Sequence, residues 1–402
     1  MKNNFNPLFD IKEEGKMIFS LIQKKGPLAK NELREVTGMK LSSLNRIMRP
    51  LVQKELIAGA EIGESTGGRK PVLYGVNREN YYIIGIDISR TYTQVVVINL
   101  KMDILCRRQF AMDETCTPEK TAKLISEAVS EEFRQLSIGK QIILGAGLGT
   151  VGPLDRERGV MLDPGNFPAP GWIDTPVKDI LERELGYPVI IDNGANTAVL
   201  AEFLFGDGKN MKSTAYFNCG IGIRTGVISS GNIVRTVNDT EDAFGHMIID
   251  VDGERCNCGN YGCIECYSSI PAIVRKFISE LKKGRSSSLS KPLEEINYID
   301  ICVAAEKKDN TAREVITGAA IIFGSGLANY INLLNPGLVI LSGPLIRYSN
   351  LFYEVCTNIA SQKCRLKSEN KIIFSKGGHF EDTAISVGAA AMVVENYLNR
   401  RG

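Results

Sequence analysis

Four residues of the sequence have the types and the spacing to hold a metal ion. His246, Cys256, Cys258 and Cys263 form His-x9-Cys-x-Cys-x4-Cys. Thiolate and imidazole donors this close together suit a tetrahedral Zn²⁺. With four protein ligands no coordination position is left for an activated water, so the zinc is expected to be structural rather than catalytic. The chain has ten cysteines and only two histidines, and these four are the point where they concentrate. Cys266 lies next to the group but fits no ligand slot and reads as a small side chain. Free thiols in a loop are the alternative. No export signal precedes the cluster, which favours metal over disulfides.

A second set of residues suits DNA. Ser42, Ser43, Asn45 and Arg46 lie on the polar side of a short amphipathic segment whose apolar side is Leu44, Ile47, Met48 and Leu51. Hydroxyl, amide and guanidinium groups match base edges and phosphates in a major groove. Further on, the polar tip Ser65-Thr66-Gly67-Gly68-Arg69-Lys70-Pro71 separates two strand-like runs between Leu56 and Val76. Its glycines allow close backbone approach. Arg69 has the reach and charge for a narrow minor groove, with Lys70 beside it. A winged helix that contacts only protein would carry a similar pattern.

The elements that must position these residues follow from periodicity. Gly15 to Lys25 reads as a helix with Met17, Ile18, Leu21 and Ile22 on one face, and Gly26-Pro27 breaks it. A helix from Lys30 to Val36, the turn Thr37-Gly38 and a helix from Leu41 complete a helix-turn-helix, with Pro50 expected to kink the last helix after Arg49. Strands are expected at Tyr82 to Ile88, Thr93 to Asn99, Ile142 to Leu148, Val189 to Ile191, within Thr214 to Ile228, and at Leu338 to Leu341. Helices are expected at Pro118 to Leu136, Ala195 to Phe205, near Ile270 to Leu281 and at Thr311 to Asn332. The order is consistent with two βββ-αβα-like halves, and no short tandem repeat points to a solenoid. The expected domains are residues 1–78, a winged helix-turn-helix, and residues 79–402, an α/β body in two lobes.

Composition agrees with that division. At 402 residues the chain is too long for one core, and 44% hydrophobic with 23% charged residues is a globular profile. Residues 1–78 carry 14 Lys and Arg against 8 Asp and Glu, whereas the remainder carries 34 against 38. A basic head suits a polyanion, although a solvated helical face gives the same charge. No run of 18 apolar residues and no signal peptide is visible, so the expectation is a cytoplasmic protein without a membrane span.

Several segments resemble the ROK (repressor, ORF, kinase) family of bacterial sugar kinases and repressors. The metal motif is similar to the family's Gly-His…Cys-x-Cys-Gly-x-x-Gly-Cys-x-Glu, here Gly245-His246 and Cys256 to Glu265. The Ser-Thr-Gly-Gly-Arg-Lys-Pro tip resembles the wing of ROK repressors. Ile86-Asp87-Ile88, Gly147 to Asp155, Asn166 to Trp172, Leu334-Asn335-Pro336, Leu341-Ser342-Gly343 and Gly388-Ala389-Ala390 extend the likeness over nearly the whole chain. The resemblance implies an actin-like ATPase fold of two lobes, with ligands in the cleft between them. It implies sugar contacts from Asn193, His246 and Glu265.

The departures from the family pattern are as informative. Where the kinases have Asn-Asp-x-Asn-Ala-Ala, with the Asp as proton acceptor, this chain has Asp192-Asn193-Gly194-Ala195-Asn196-Thr197-Ala198, and Gly194 accepts no proton. If the segment stayed extended, Asp192 would lie about 7 Å away along the strand, out of reach as a substitute base. The phosphate turn Asp-Ile-Gly-Gly-Thr-Lys is Asp87-Ile88-Ser89-Arg90-Thr91-Tyr92, and Arg224 occupies a glycine position of the second glycine loop. The Glu of Glu-x-Gly-His is Ala243. Losing two charged acceptors would cost sugar affinity about 3–6 kcal/mol. The expectation is therefore no catalytic residues and no ATP. The chain reads as a DNA-binding regulator, a repressor of a carbohydrate operon, acting as a homodimer or dimer of dimers on double-stranded DNA. A sugar effector or a protein partner would control it. An active sugar kinase with an added domain is the competing reading.

Overall fold

The computed structural model describes residues 11–62, 71–138, 143–235, 243–364 and 372–399. The head comprises α1 (Glu13–Lys25), β1 (Leu28–Ala29), α2 (Lys30–Thr37), α3 (Leu41–Gln53), β2 (Ile57–Ile62) and β3 (Val72–Val76). Gly26 and Gly38, both at positive φ, end α1 and α2 by donating their N–H groups to Ile22 and Arg34 carbonyls. The strands form an antiparallel sheet in the order β1-β3-β2. Ile18, Phe19 and Ile22 of α1 are buried with Leu33, Leu44, Met48 and Leu51.

Two details of the head differ from the sequence reading. Met17 is 41% exposed and Leu21 only partly buried, because the inner face of α1 is Gly15, Ile18, Phe19 and Ile22. Gly15 belongs there because a Cβ would stand 2.4 Å from Ile11. In α3, Ile47 is half-buried rather than buried; Pro50, expected to kink this helix after Arg49, lies within it, and the helix runs on to Gln53.

The body divides into two compact units. One takes the residues up to Thr197 together with those from Ser386 on, and the other takes Ala198–Ile385. The first contains β4 (Tyr82–Ile88), β5 (Tyr92–Asn99), β6 (Ile104–Ala111), α4 (Pro118–Gln135), β7 (Ile143–Thr150), β8 (Leu154–Asp155), β9 (Val160–Met161), α5 (Val177–Leu185), β10 (Val189–Asn193) and the start of α6 (Gly194–Phe205). Its main sheet has the order β10-β7-β4-β5-β6, with β4, β5 and β6 antiparallel and β7 and β10 parallel to β4.

The second unit contains the rest of α6, β11 (Ser213–Cys219), β12 (Ile223–Ser229), β13 (Asn232–Ile233), α7 (Glu265–Ser268), α8 (Ile270–Lys282), α9 (Tyr298–Glu306), α10 (Asn310–Leu334), β14 (Leu338–Ser342), α11 (Pro344–Tyr348), α12 (Asn350–Lys363), β15 (Ile373–Lys376) and the first residues of α13 (Ala384–Asn399). Its sheet, β13-β12-β11-β14-β15, repeats the topology of the first: an antiparallel meander of three strands followed by two parallel ones.

Each unit has its own core. The first buries Ile84, Ile86, Val95, Val97, Ile125, Leu148 and Trp172. In the second, Phe217 meets Phe244 edge-to-face at 4.8 Å, and Phe323 joins them at 5.3 Å from Phe244. Among the described residues, α10 is the single helix long and apolar enough to cross a membrane. Its Ile316, Ala320, Phe323, Leu327 and Ile331 are buried in that second core. The larger part of α13 lies on the first sheet at very short range. A Cβ on Gly85 would stand 2.0 Å from the Ser386 carbonyl oxygen, and one on Gly147 1.8 Å from that of Ala389.

The head is fastened to the first unit. Gln23, buried at the end of α1, donates from Nε2 to the Leu100 carbonyl at 2.7 Å. Lys24 pairs with Glu395 of α13 at 3.0 Å. Tyr81 donates its hydroxyl to the Lys54 carbonyl at 2.7 Å.

Candidate metal centre, ligand residues and nucleic-acid face

His246, Cys256, Cys258 and Cys263 come together, with their ligand atoms all within 4.8 Å of one another. His246 Nδ1 is 3.6 Å from Cys256 Sγ, and Cys258 Sγ is 3.7 Å from Cys263 Sγ. A tetrahedral ion with metal–sulfur bonds of about 2.3 Å and a metal–nitrogen bond of about 2.0 Å would have edges of about 3.8 Å and about 3.5 Å. The donor set therefore fits a tetrahedral metal ion.

The loop is shaped for this by its backbone. Arg255 and Tyr261 bridge antiparallel, and the Cys256 amide donates to the Asn260 carbonyl at 2.7 Å, which closes a tight turn that carries the first two thiols. Gly262 has φ of 68°, and a Cβ there would stand 1.5 Å from the Asp250 carbonyl oxygen, so only glycine fits. Cys256 and Cys263 are buried and Cys258 is exposed. Burial acts to raise the Cys258 thiol, but hydrogen bonds from the Asn260 amide and the neighbouring thiols outweigh it, and its pKa falls below the ordinary value. Cys266 packs against Cys256 and Cys263 outside the group of four, and burial pushes its thiol up to about 12.

The metal loop runs directly into Glu265. Its amide donates to the Gly245 carbonyl, and its Oε2 accepts the Ile223 N–H, both at 2.9 Å. The expected sugar ligand Glu265 thus holds the turn between β11 and β12. The Gly220 amide donates to the Gly222 carbonyl within the same turn, and Arg224 is buried just beyond it. His246 is on the same loop, within the group of four donors.

Asn193 belongs to the first unit. It ends β10, and its Oδ1 accepts the Ala195 N–H at 2.9 Å, which starts α6. Its Nδ2 is buried without a hydrogen-bond partner. β10 ends at Asn193 and Gly194 is the first residue of α6, so the segment does not stay extended through position 194, as a distance of two strand residues presupposes. The Asp192 carboxylate turns to the helix start instead, accepting from the Asn193 amide at 2.8 Å and from Asn196 Nδ2 at 3.1 Å.

The turn between β4 and β5 is also occupied by its own side chains. Tyr92 donates its hydroxyl to the buried Asp87 carboxylate at 2.9 Å. Ser89 Oγ accepts the amides of Thr91 and Tyr92, each at 3.4 Å, and the Ser89 amide donates to the Tyr92 carbonyl. Arg90 Nε donates at 2.7 Å to Gly165, at the start of the loop in which Phe167 and Trp172 stack.

In the head, Ser42, Asn45, Arg46 and Arg49 are exposed and fall on one face of α3 at helical spacing, with Ser43 half-buried beside them. Arg69 and Lys70 lie outside the described residues.

A family model described as the ROK family matches residues 83–396. The chain belongs to the ROK family. The head lies ahead of the matched ROK region. The xylose repressor of Bacillus subtilis (strain 168) is 26% identical over 389 residues, covering 96% of this chain and 95% of its own. The DNA-binding transcriptional dual regulator NagC of Escherichia coli (strain K12) is 25% identical, covering 95% of this chain and 92% of its own. Among solved structures, a ROK family transcriptional regulator, a homolog of the E. coli MLC protein, superposes with a TM-score of 0.77 over 96% of this chain and 97% of its own at 22% identity. A ROK family glucokinase from Streptomyces griseus, solved with glucose and AMPPNP, gives 0.64 at 25% identity over 77% of this chain and 98% of its own. The regulators match at full length, whereas nearly the whole of the glucokinase matches only part of this chain.

Proposed function

We propose that this ROK protein is a sequence-specific DNA-binding transcriptional regulator, a repressor of a carbohydrate-utilisation operon, and not a sugar kinase. Residues 1–78 are its winged helix-turn-helix, and residues 79–402 are its effector and dimerisation module. The observation that carries this reading is the exposed face of Ser42, Asn45, Arg46 and Arg49 on the second helix of a helix-turn-helix. Arg69 and Lys70 extend it as the wing. Full-length similarity to proteins named as a xylose repressor and a DNA-binding transcriptional dual regulator supports the same reading. Zinc is held by His246, Cys256, Cys258 and Cys263 in a structural role. It keeps three thiolates apart from oxidants and orders the loop that carries Glu265.

The body is a receptor rather than an enzyme. Gly194 offers no base, and the backbone amides of the β4–β5 turn are engaged by Ser89 and Tyr92. The orphan Nδ2 of Asn193 supports a small polar effector, for which it is a ready donor. Glu265 favours a narrower ligand set, because one of its oxygens is already given to Ile223. That observation also supports the second reading, control by a protein partner without a sugar. The protein works as a homodimer or dimer of dimers on a two-fold operator.

The test is a selection of duplexes from a random-sequence pool by the purified full-length protein, followed by Arg69→Ala and Arg46→Ala on the selected duplex. Losses of about 1–3 kcal/mol in binding are expected for each. Recovery of unenriched sequence would end the regulator reading. Thermal shift against a panel of sugars, sugar phosphates and nucleotides separates the two modes of control.

A further inference from the structure

Outside the face already described, one contact in the head links three elements. Lys30, the first residue of α2, places Nζ 2.7 Å from Asn45 Oδ1 on α3. The same ammonium lies 5.1 Å over the ring centre of Tyr74 on β3. Neither end of this arrangement is loose. Tyr74 is held in the sheet opposite Leu28 and Gly59. The first turn of α2 is fixed by the Glu32 carboxylate, which accepts the Ala29 amide at 2.6 Å. Lys30 is half-buried, and the ring face beneath it attracts the cation.

An ammonium has three donors and no acceptor, so it decides which end of the Asn45 amide faces it. The carbonyl oxygen turns to Lys30. The opposite flip would set the amide N–H₂ against the ammonium, donor to donor. Asn45 therefore presents N–H₂ outward, beside Ser42 and Arg46. An adenine edge in the major groove offers an acceptor at N7 and a donor at N6, and an asparagine matches both only by presenting both ends of its amide. Guanine offers two acceptors, and thymine one at O4.

We infer that Lys30 is a specificity-determining positioning residue. By holding the Asn45 oxygen, it makes Asn45 read an acceptor-only base edge, guanine or thymine, in place of adenine. The inference rests on the DNA-binding reading given above and goes beyond it by assigning a base class to one side chain and a cause to that choice.

The experiment is the same random-pool selection, run on full-length wild type, Lys30→Met, Lys30→Arg and Asn45→Ala. In wild type, one position of each half-site is expected to enrich guanine or thymine, and Asn45→Ala should flatten that position alone. Lys30→Met keeps an apolar stem over Tyr74 but releases the oxygen. It should shift the same position towards adenine, by about ten-fold in the base ratio. Lys30→Arg keeps a donor and should keep the wild-type profile, which separates this role from a merely structural one if the methionine variant is less stable. An unchanged profile in Lys30→Met, or adenine at the Asn45-dependent position in wild type, overturns the inference while leaving DNA binding intact. Failure of wild type to enrich any sequence overturns the DNA-binding reading, and the inference with it.

Discussion

The β4–β5 turn and the β11–β12 turn occupy the same place in two sheets of the same topology, and each is closed in its own way. The first is closed locally. Ser89 and Tyr92 accept and donate within six residues of Asp87. The second is closed from a distance, because the acceptor for the Ile223 amide is Glu265, which follows directly on the metal loop. A glycine-rich turn that leaves its amides free can hold phosphate. A turn whose amides already have partners must break those bonds first. The difference between the halves is one of dependence: the amides of the first turn are held by its own residues, and the second stands on a loop that a metal would order. Breaking each support in turn should show this.

The largest effect is expected at the metal loop. Cys258→Ser should lose the ion and, through the slack it gives Glu265, loosen the β11–β12 turn while leaving the β4–β5 turn intact. Because metal binding free energy is folding free energy, the melting temperature of the second unit should fall by on the order of 10 °C. Elemental analysis and calorimetry check both points. A wild-type protein that holds no metal when purified without chelators, and melts the same with or without them, contradicts the assignment.

That loop was the most legible part of the sequence, since four scarce ligands at fixed spacing can serve few purposes. The elements between were legible where periodicity was clean, as in α4, α8 and α10. β6 was not, because it is an edge strand with Ile104, Leu105, Arg107 and Arg108 all exposed, so no alternation marks it. α13 was not, because Ala384 to Leu398 buries residues on nearly every side and carries no amphipathic stripe. The partners of Glu265 and Asn45 were equally hidden. Ile223 and Lys30 reach them through the fold and not through any local pattern. The inner face of α1 includes Gly15 and Phe19, whereas apolar spacing alone points to Met17 and Leu21.

A smaller effect is expected when Glu265 itself is changed. Glu265→Ala leaves the Ile223 N–H without its carboxylate acceptor. The expected cost is about 1.5–3 kcal/mol, the range for a hydrogen bond to a charged group. Glu265→Gln keeps an oxygen acceptor and should lose about half as much, since a charge-assisted bond is roughly twice as strong as a neutral one. Hydrogen exchange at the Ile223 amide should rise in the alanine variant with the metal still bound. Equal protection in all three proteins would mean that the turn does not depend on Glu265.

Smaller still is the expected cost of Tyr92→Phe in the self-supported turn. It removes one donor from Asp87, which keeps further interactions of its own. A loss of about 1 kcal/mol in chemical denaturation is expected, with no change in metal content or in exchange at Ile223. Movement of the β11–β12 turn in this variant would mean that the two turns are not independently held.

The smallest effect is expected where sequence alone would place the largest. Gly194→Asp returns a carboxylate to the position of the missing base, yet it should produce no measurable sugar phosphorylation. General-base catalysis supplies typically 10²–10⁴-fold in rate, but only to a nucleophile and a phosphate already in place. Positioning and electrostatic stabilisation carry most of phosphoryl transfer. Here the amides of the first turn are spent on Ser89 and the Tyr92 carbonyl, the Ile223 amide of the second is spent on Glu265, and Arg224 fills a glycine position beside it. The measurement is ATP-dependent phosphorylation of a hexose and pentose panel by wild type, by Gly194→Asp, and by Gly194→Asp combined with Ala243→Glu and Arg224→Gly. Turnover by the single variant would show that the closed turns open readily for phosphate. Turnover confined to the triple variant would show that the second turn and the acceptor missing at Ala243, and not the base alone, keep this body from acting as a kinase.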